Sequence, residues 1–330
     1  MINIEKVHGS QNSFFLLDQT KLVQPLTTSE LEHLAVKITD TKTGLLGGSD
    51  GLLVVEPATN QTAVARMRIF NKDGSQALMC GNGLRTVTRY LVSKLHKRKF
   101  LVQTAAANLH VQQYPDLAPN VPAFSVEIAP VSFAASEVGW HNLSLTKIIN
   151  QSIPKLAAKL KFTALAVPNP HLISFVDDVH GAHEALRRLG RQLNQPNPYF
   201  PDGVNVSFAQ ILAPNRLFVE TYERGVGFTN ACGTGMSATS LAGHLTYPEQ
   251  VGLDELLTVY NPGGLVQTKI HSDANRYWIE LIGNATVTHQ ISLPEECLHE
   301  AEFAHDQIKI AATGEQEAYL KFVSTFKNNG

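Results

Sequence analysis

Two segments of the chain pair a cysteine with glycines in one pattern, Cys80-Gly81-Asn82-Gly83 and Cys232-Gly233-Thr234-Gly235. Each follows turn formers and leads into a helix-forming stretch, so each thiol is expected at a helix N-terminus. Unsatisfied backbone N–H groups and the helix dipole favour negative charge there. A thiol that ordinarily titrates near 8.5 is lowered in such a place. The glycines let the backbone turn tightly and bring its N–H groups close to a ligand. Two such termini acting on one ligand make a carboxylate clamp flanked by two thiols. That package suits removal of a proton from the carbon beside a carboxylate, with redelivery from the opposite face. Fixed N–H donors would stabilise the charge that develops as the carbon becomes planar.

One such cysteine carries little weight, because a lone Cys in a cytosolic protein is most often a small buried hydrophobe. Two copies inside a repeat carry much more. Nine residues before each cysteine stands a polar residue at a strand end, Asn71 in the first copy and Glu223 in the second. Further upstream an Asn lies beside a strand in each copy, Asn12 and Asn169, 68 and 63 residues before the cysteine. Cys297 has no such setting and reads as inert core. No C-x-x-C spacing occurs, and no His stands within five residues of Cys80 or Cys232, which argues against zinc and dithiol redox motifs. Gly44–Gly48 lacks the Gly-Lys-Ser/Thr of a P-loop.

The elements that position these loops are legible from patterning. Phe14–Asp18, Gly51–Glu56, Val64–Asn71, Phe100–Thr104 and Phe124–Ala129 read as strands, as do Ala164–Val167, Leu172–Val176, Gly203–Ala209 and Leu217–Tyr222. Leu31, Leu34, Ala35 and Ile38 form a helical stripe over Ser29–Thr39, with Thr28 or Ser29 as the cap. Leu84–Leu95, His180–Leu189 and Met236–Leu245 read as further helices. Tyr114–Pro122 reads as a surface loop. At the C-terminus Tyr319, Phe322, Val323 and Phe326 share one helix face that docks on the body, and Asn328-Asn329-Gly330 reads as its stop signal.

The 330 residues suggest two domains. Hydrophobic residues at 43% and charged residues at 17% fit a folded protein. With 27 Lys+Arg against 29 Asp+Glu, the net charge of -2 offers no bulk attraction to nucleic acid or anionic membrane. Apolar runs such as Phe14–Leu17 are far shorter than the roughly 20 residues of a membrane helix. The opening Met1–Lys6 has no signal-peptide pattern. Three cysteines make no disulfide framework, so a cytoplasmic protein with reduced thiols is expected.

The chain resembles the diaminopimelate epimerases up to about Leu293. Lys6-Val7-His8-Gly9 with Asn12-Ser13-Phe14, Asp50-Gly51-Leu52, and Arg68–Ser75 leading into Cys80–Arg85 carry the first half of the likeness. Asn169-Pro170-His171, Gly203-Val204-Asn205, Tyr222–Gly225 leading into Ala231–Gly235, and Pro262-Gly263-Gly264 carry the second. The resemblance implies an α/β (α+β) fold of two pseudo-symmetric halves, each a curved, mostly antiparallel sheet around a central helix, with the site in the interdomain cleft. Residues 1–129 would form the half carrying Cys80 and 130–283 the half carrying Cys232. A strand over 284–294 would return to the first half, and 295–330 would be an extension with a terminal helix.

The family's reaction interconverts LL- and meso-2,6-diaminoheptanedioate without pyridoxal phosphate or metal. By resemblance, Cys80 and Cys232 are the acid/base pair, Cys232 taking the proton and Cys80 delivering it in the LL-to-meso direction. Gly81-Asn82 and Gly233-Thr234 would hold the reacting carboxylate. Asn12, Asn71, Asn169, Asn205, Glu223 and Arg224 would hold the remaining polar groups, and His171 and Glu223 would tune the thiols. The family's dimers imply a homodimer, and the expected partner is a small amino acid. There are departures: Gln11 and Ser13 replace the usual Gly and Asp, and Phe228 replaces a frequent Glu. Two alternatives stay open: a proline or hydroxyproline racemase of similar fold, and a catalytically silent binding or thiol-redox protein.

Overall fold

The computed structural model of the protein describes residues 1–273, 276–303 and 305–327. Asn328–Gly330, the expected stop signal, lie outside them. The chain divides into two compact units, Met1–Val126 with Gly283–Gly330, and Glu127–Ile282. Unit one opens with β1 (Ile2–Gly9), β2 (Asn12–Asp18), α1 (Thr28–Ile38), β3 (Gly51–Glu56), β4 (Ala65–Asn71), α2 (Gly81–Leu95), β5 (Lys99–Gln103), β6 (Asn108–Ala118) and β7 (Val121–Ile128). Unit two holds α3 (Ala135–Val138), β8 (Gln151–Ser152), β9 (Lys161–Ala166), β10 (Pro170–Phe175), α4 (His183–Leu193), β11 (Asn205–Ala213), β12 (Arg216–Glu223) and β13 (Gly227–Phe228). It continues through α5 (Gly233–Thr246), β14 (Leu256–Asn261), β15 (Gly264–Asp273) and β16 (Arg276–Asn284). The chain then returns to unit one as β17 (Thr286–Leu293), α6 (Glu296–Glu300), β18 (Lys309–Ala312) and α7 (Glu315–Lys327).

The two units repeat one topology. In unit one β1 pairs antiparallel with β2, β2 parallel with β3, β3 antiparallel with β4, β4 parallel with β5, and β5, β6 and β7 follow as an antiparallel run. In unit two β9, β10, β11, β12, β14, β15 and β16 pair in the same alternation. A parallel pair needs a crossover, and helices supply it at the same places. α1 and α4 join the first parallel pair of each unit; α2 and α5 join the second. α2 touches β1, β2, β3, β4 and β6, and α5 touches β9 through β12, β14 and β15, so each helix is wrapped by its own sheet. That is the architecture the resemblance implied within each half.

A helix wrapped by a sheet must be buried on nearly every side. Gly233 through Gly243 of α5 are all buried, and the sequence answers with small residues. Two of its serine hydroxyls are satisfied inside the helix: Ser237 Oγ donates to the Gly233 carbonyl at 2.9 Å and Ser240 Oγ to that of Met236 at 2.9 Å. Thr88 in α2 does the same to Leu84 at 2.7 Å.

The structure differs from the sequence expectation at the start of α1 and at Tyr114–Pro122. The cap of α1 is Thr27, not Thr28 or Ser29, because Glu30 completes a capping box with it: Thr27 N–H donates to Glu30 at 2.8 Å and Glu30 N–H to Thr27 Oγ1 at 3.3 Å. Tyr114–Pro122 is not a surface loop. It ends β6, turns at Asn120 with φ 61° and begins β7. Pro115 falls where the β6–β7 register shifts between Tyr114 and Ala118, a place where the ladder tolerates a missing N–H.

The C-terminal stretch closes back on unit one. β17 pairs with both β1 and β18. Tyr319 and Val323 of α7 are buried against Val121. Glu315 takes both ends of the Arg89 guanidinium at 2.6 Å, and Gln316 Oε1 sits 2.8 Å from His8 Nε2. Cys297 packs among Leu26, Leu31 and Leu298.

Candidate active site

In unit one the site is built around the first turn of α2. Cys80 is the N-cap, with extended backbone, and its sulfur accepts the Gly83 N–H at 3.4 Å. The thiol thus does what Ser or Asn does at other helix starts. Asn12, at the head of β2, has its Nδ2 on Asp50 Oδ2 at 3.0 Å, and Asp50 also accepts the Ser13 N–H at 2.8 Å. This anchors Asn12 so that its Oδ1 faces Asn82 Nδ2 at 3.2 Å and the Cys80 thiol at 3.7 Å. Asn12, Cys80, Gly81 and Asn82 therefore come together. Asn71, at the end of β4, is exposed, and its side chain donates to Ser75 Oγ at 3.0 Å instead.

In unit two the same arrangement surrounds the first turn of α5. Cys232 is the N-cap; its sulfur accepts the Gly235 N–H at 3.3 Å and lies 3.6 Å from Thr234 Oγ1. A Cβ on Gly235 would lie 3.1 Å from that sulfur and 3.0 Å from Thr221 Oγ1, so a larger residue would press on both by a few tenths of an ångström. Thr234 Oγ1 accepts from Asn169 at 3.1 Å, and Asn169 Oδ1 is 3.3 Å from His171 Nε2. Asn205 is paired with His171 across β10 and β11, and its Oδ1 accepts the Arg224 N–H at 2.8 Å. Glu223 accepts a hydrogen bond from Thr229 Oγ1. The Arg224 guanidinium is exposed and donates to the Asp202 carbonyl at 3.3 Å; it lines a surface depression of about 490 Å³ together with Asn194, Asp202 and Gly203. Among the described residues it makes no ion pair.

Electrostatics revise one expectation. A helix N-terminus lowers a thiol, but burial and then the Glu223 carboxylate push Cys232 well above the ordinary range. Desolvation of a thiolate outweighs the N–H groups aimed at it. His171 is fully buried, and burial together with Arg224 pulls it down to about 3, so its imidazole is neutral. Patterning missed Thr229 and the anchoring part played by Asp50. Asp50 lies in a quoted motif but is joined to Asn12 by the fold across 38 residues; Thr229 has no local signal. Among the described residues no group of three or more His, Cys, Asp or Glu side chains has metal-site geometry, and no helix is long and apolar enough to cross a membrane.

Comparison with known proteins adds to this geometry. The family model described as diaminopimelate epimerase matches residues 4–123 and 163–288. The chain belongs to the diaminopimelate epimerase family. Curated diaminopimelate epimerases resemble it over nearly their whole length: that of Lactiplantibacillus plantarum is 49% identical over 98% of both chains, and that of Enterococcus faecalis 48% identical over 98% of both. That of Listeria monocytogenes serotype 4a is 43% identical over 99% of this chain and 97% of its own. Among solved structures, a phenazine biosynthesis protein of the PhzF family from Bacillus anthracis superimposes with a TM-score of 0.61 at 15% identity, covering 88% of this chain and 97% of its own. A hydroxyproline epimerase from Agrobacterium vitis gives 0.58 at 14% identity, covering 94% and 91%. At such identities the likeness is one of fold. Diaminopimelate epimerases are isomerases, and this chain is accordingly an isomerase.

Proposed function

We propose that this protein is an isomerase that interconverts LL- and meso-2,6-diaminoheptanedioate by moving the α-proton between two thiols, one serving each face of the carbon. The observation that carries the reading is that Cys80 and Cys232 each cap the central helix of their own repeat, in a chain whose close relatives bear that activity's name. In the LL-to-meso direction Cys232 takes the proton and Cys80 delivers one. The first-turn N–H groups at Gly81-Asn82 and Gly233-Thr234 hold the reacting carboxylate, whose negative charge grows as the α-carbon flattens. Neutral His171 acts through hydrogen bonding to Asn169 rather than as a cation. Glu223 makes the anionic form of Cys232 costly, so that thiolate, once formed, is a strong base. Asn12, Asn71, Asn169, Asn205, Glu223 and Arg224 bind the remaining amino and carboxylate groups. The reaction needs neither pyridoxal phosphate nor metal, and reduced thiols fit a cytoplasmic setting.

Two-thiol transfer is tested in deuterated water with the purified protein and LL-diaminoheptanedioate. Meso product collected at low conversion is expected to carry deuterium at the inverted carbon, because the delivering thiol has equilibrated with solvent. Protium kept at that carbon would indicate one base returning the proton it removed. No change in chirality at all, with proline run alongside as an alternative substrate, would end the assignment. Specificity has its own test. Arg224→Lys keeps the charge but loses the planar fork that binds a carboxylate bidentately. A loss of about tenfold or more in kcat/KM is expected, equivalent to about 1.4 kcal/mol; an unchanged kcat/KM would place Arg224 outside the substrate site.

A further inference from the structure

The turn that delivers Asn12 to Cys80 is one that its own residues disfavour. Ser10 and Gln11 join β1 to β2, between the paired residues Gly9 and Asn12. Both have left-handed backbone, with φ 53° and 66°, as a two-residue hairpin loop of matching twist requires. Neither is the Asn or Gly that adopts this conformation readily. Bonds from elsewhere hold it. Ser10 N–H donates to Asn284 Oδ1 at 2.8 Å, and the Arg85 guanidinium donates to Ser10 Oγ at 3.3 Å. Gln11 N–H donates to His8 Nδ1 at 3.2 Å.

That last bond demands one tautomer of His8. Its Nδ1 faces two donors, the Gln11 N–H and, at 3.3 Å, Asn284 Nδ2, so it must offer its lone pair. The ring is buried and neutral, because burial holds it down to about 4. Its single proton therefore sits on Nε2 and needs an acceptor. Gln316 Oε1 of α7, 2.8 Å away, is that acceptor. Tyr319, three residues on along the same helix face, packs edge-on against the imidazole with ring centroids 4.8 Å apart. Glu315 fixes the start of α7 beside them, on Arg89 at 2.6 Å and on the Val287 N–H at 3.0 Å.

We propose that Gln316 is a positioning residue for Cys80: by accepting the His8 Nε2–H it keeps the Nδ1 lone pair on the Gln11 N–H, and so holds the left-handed turn that sets Asn12 against Cys80 and Asn82. Asn12 follows Gln11 directly, and its Oδ1 lies 3.2 Å from Asn82 Nδ2 and 3.7 Å from the Cys80 sulfur. Asp50 holds the Asn12 amide and the Ser13 N–H from one side; the turn fixes the chain on the other. The C-terminal helix thereby acts on a site made by residues near the start of the chain. The inference deepens the two-thiol reading and rests on it for its catalytic meaning.

The test begins with the unaltered full-length protein, its histidines labelled with ¹⁵N, at about pH 8. The His8 signal, assigned as the one lost in His8→Gln, is expected to show a bare Nδ1 and a protonated Nε2. A protonated Nδ1 overturns the proposal and needs no other variant to fold. Gln316→Met removes the acceptor at nearly the same volume, and Gln316→Glu keeps one; His8 lies low enough to stay neutral beside that carboxylate at about pH 8. With circular dichroism checking the fold, Gln316→Met is expected to speed hydrogen exchange of the Gln11 amide on the order of tenfold. It is also expected to lower kcat/KM for LL-diaminoheptanedioate about tenfold or more, the effect of a misplaced site group. Gln316→Glu is expected to keep both near the unaltered values, a rescue that packing of α7 alone would not give. Unchanged Gln11 exchange in Gln316→Met, or equal losses in both variants, overturns the proposal. So does faster exchange with unchanged kcat/KM, which would leave Asp50 sufficient to place Asn12. The tautomer and the exchange rate are read without turnover, so an inactive unaltered protein would end the two-thiol reading while these two still decide whether Gln316 holds the turn.

Discussion

Cys80→Ser and Cys232→Ser are each expected to abolish interconversion while leaving the protein as stable as before. A serine hydroxyl is a far weaker acid than a thiol, so neither role in the proton transfer survives. General acid–base groups typically contribute 10²–10⁴-fold, and losing one face of a two-face reaction removes the pathway outright. Stability is expected to hold for a structural reason. Each sulfur caps its helix by accepting the third-position N–H, at 3.4 Å from Gly83 and 3.3 Å from Gly235. Serine is among the preferred N-caps, so the exchange keeps the cap and changes only the acidity. The check is a stereochemical assay beside a thermal melt. Near-wild-type turnover in either variant would remove that thiol from the mechanism, and inactivity with a collapsed melt would make the capping argument wrong.

Acid is expected to loosen both units through two buried histidines. His8 in unit one is held down to about 4, mainly by burial with help from Arg85, and His171 in unit two to about 3 by burial and Arg224. An unfolded histidine titrates near 6.5. With the folded value depressed, the unfolded chain takes up the proton first as pH falls. The stability these groups contribute is therefore complete above about pH 6.5 and drains away toward their folded values. Shifts of this size correspond to on the order of 3–5 kcal/mol each. His299, raised by its hydrogen bond to Glu30, works in the opposite sense at the surface of α6. Guanidinium unfolding midpoints measured from about pH 7.5 to pH 4 are expected to fall steeply. The fall should flatten in His8→Gln, which can still bond Gln316, and in His171→Gln. An equal fall in both variants would show that other groups carry the acid response.

The sequence by itself determined the features set by neighbouring residues. The stripe of Leu31, Leu34, Ala35 and Ile38 specifies the buried face of α1 because helical periodicity is local. The paired C-G-x-G segments specify two helix starts because a cap is made within three residues, and both cysteines stand there. The motifs that run in order through both halves identify the family for the same reason. Tertiary structure decided what depends on residues far apart. Asp50 steers Asn12 from 38 positions away, and Gln316 reaches His8 from 308 positions away. Tyr114–Pro122 reads as a loop from its composition, but β7 pairing turns it into strand and bulge. The charge of each site is likewise a tertiary property. A thiol at a helix N-terminus is lowered by its own helix, yet the sheet around α5 buries Cys232 beside Glu223, and desolvation reverses the sign. Nothing in the local pattern of Arg85 marks it as fully buried; Gly9 and Gly283, from opposite ends of the chain, make the space. Local sequence specifies backbone geometry and hydrogen bonds within a turn, whereas burial, and with it the cost of a charge, exists only after the chain has packed.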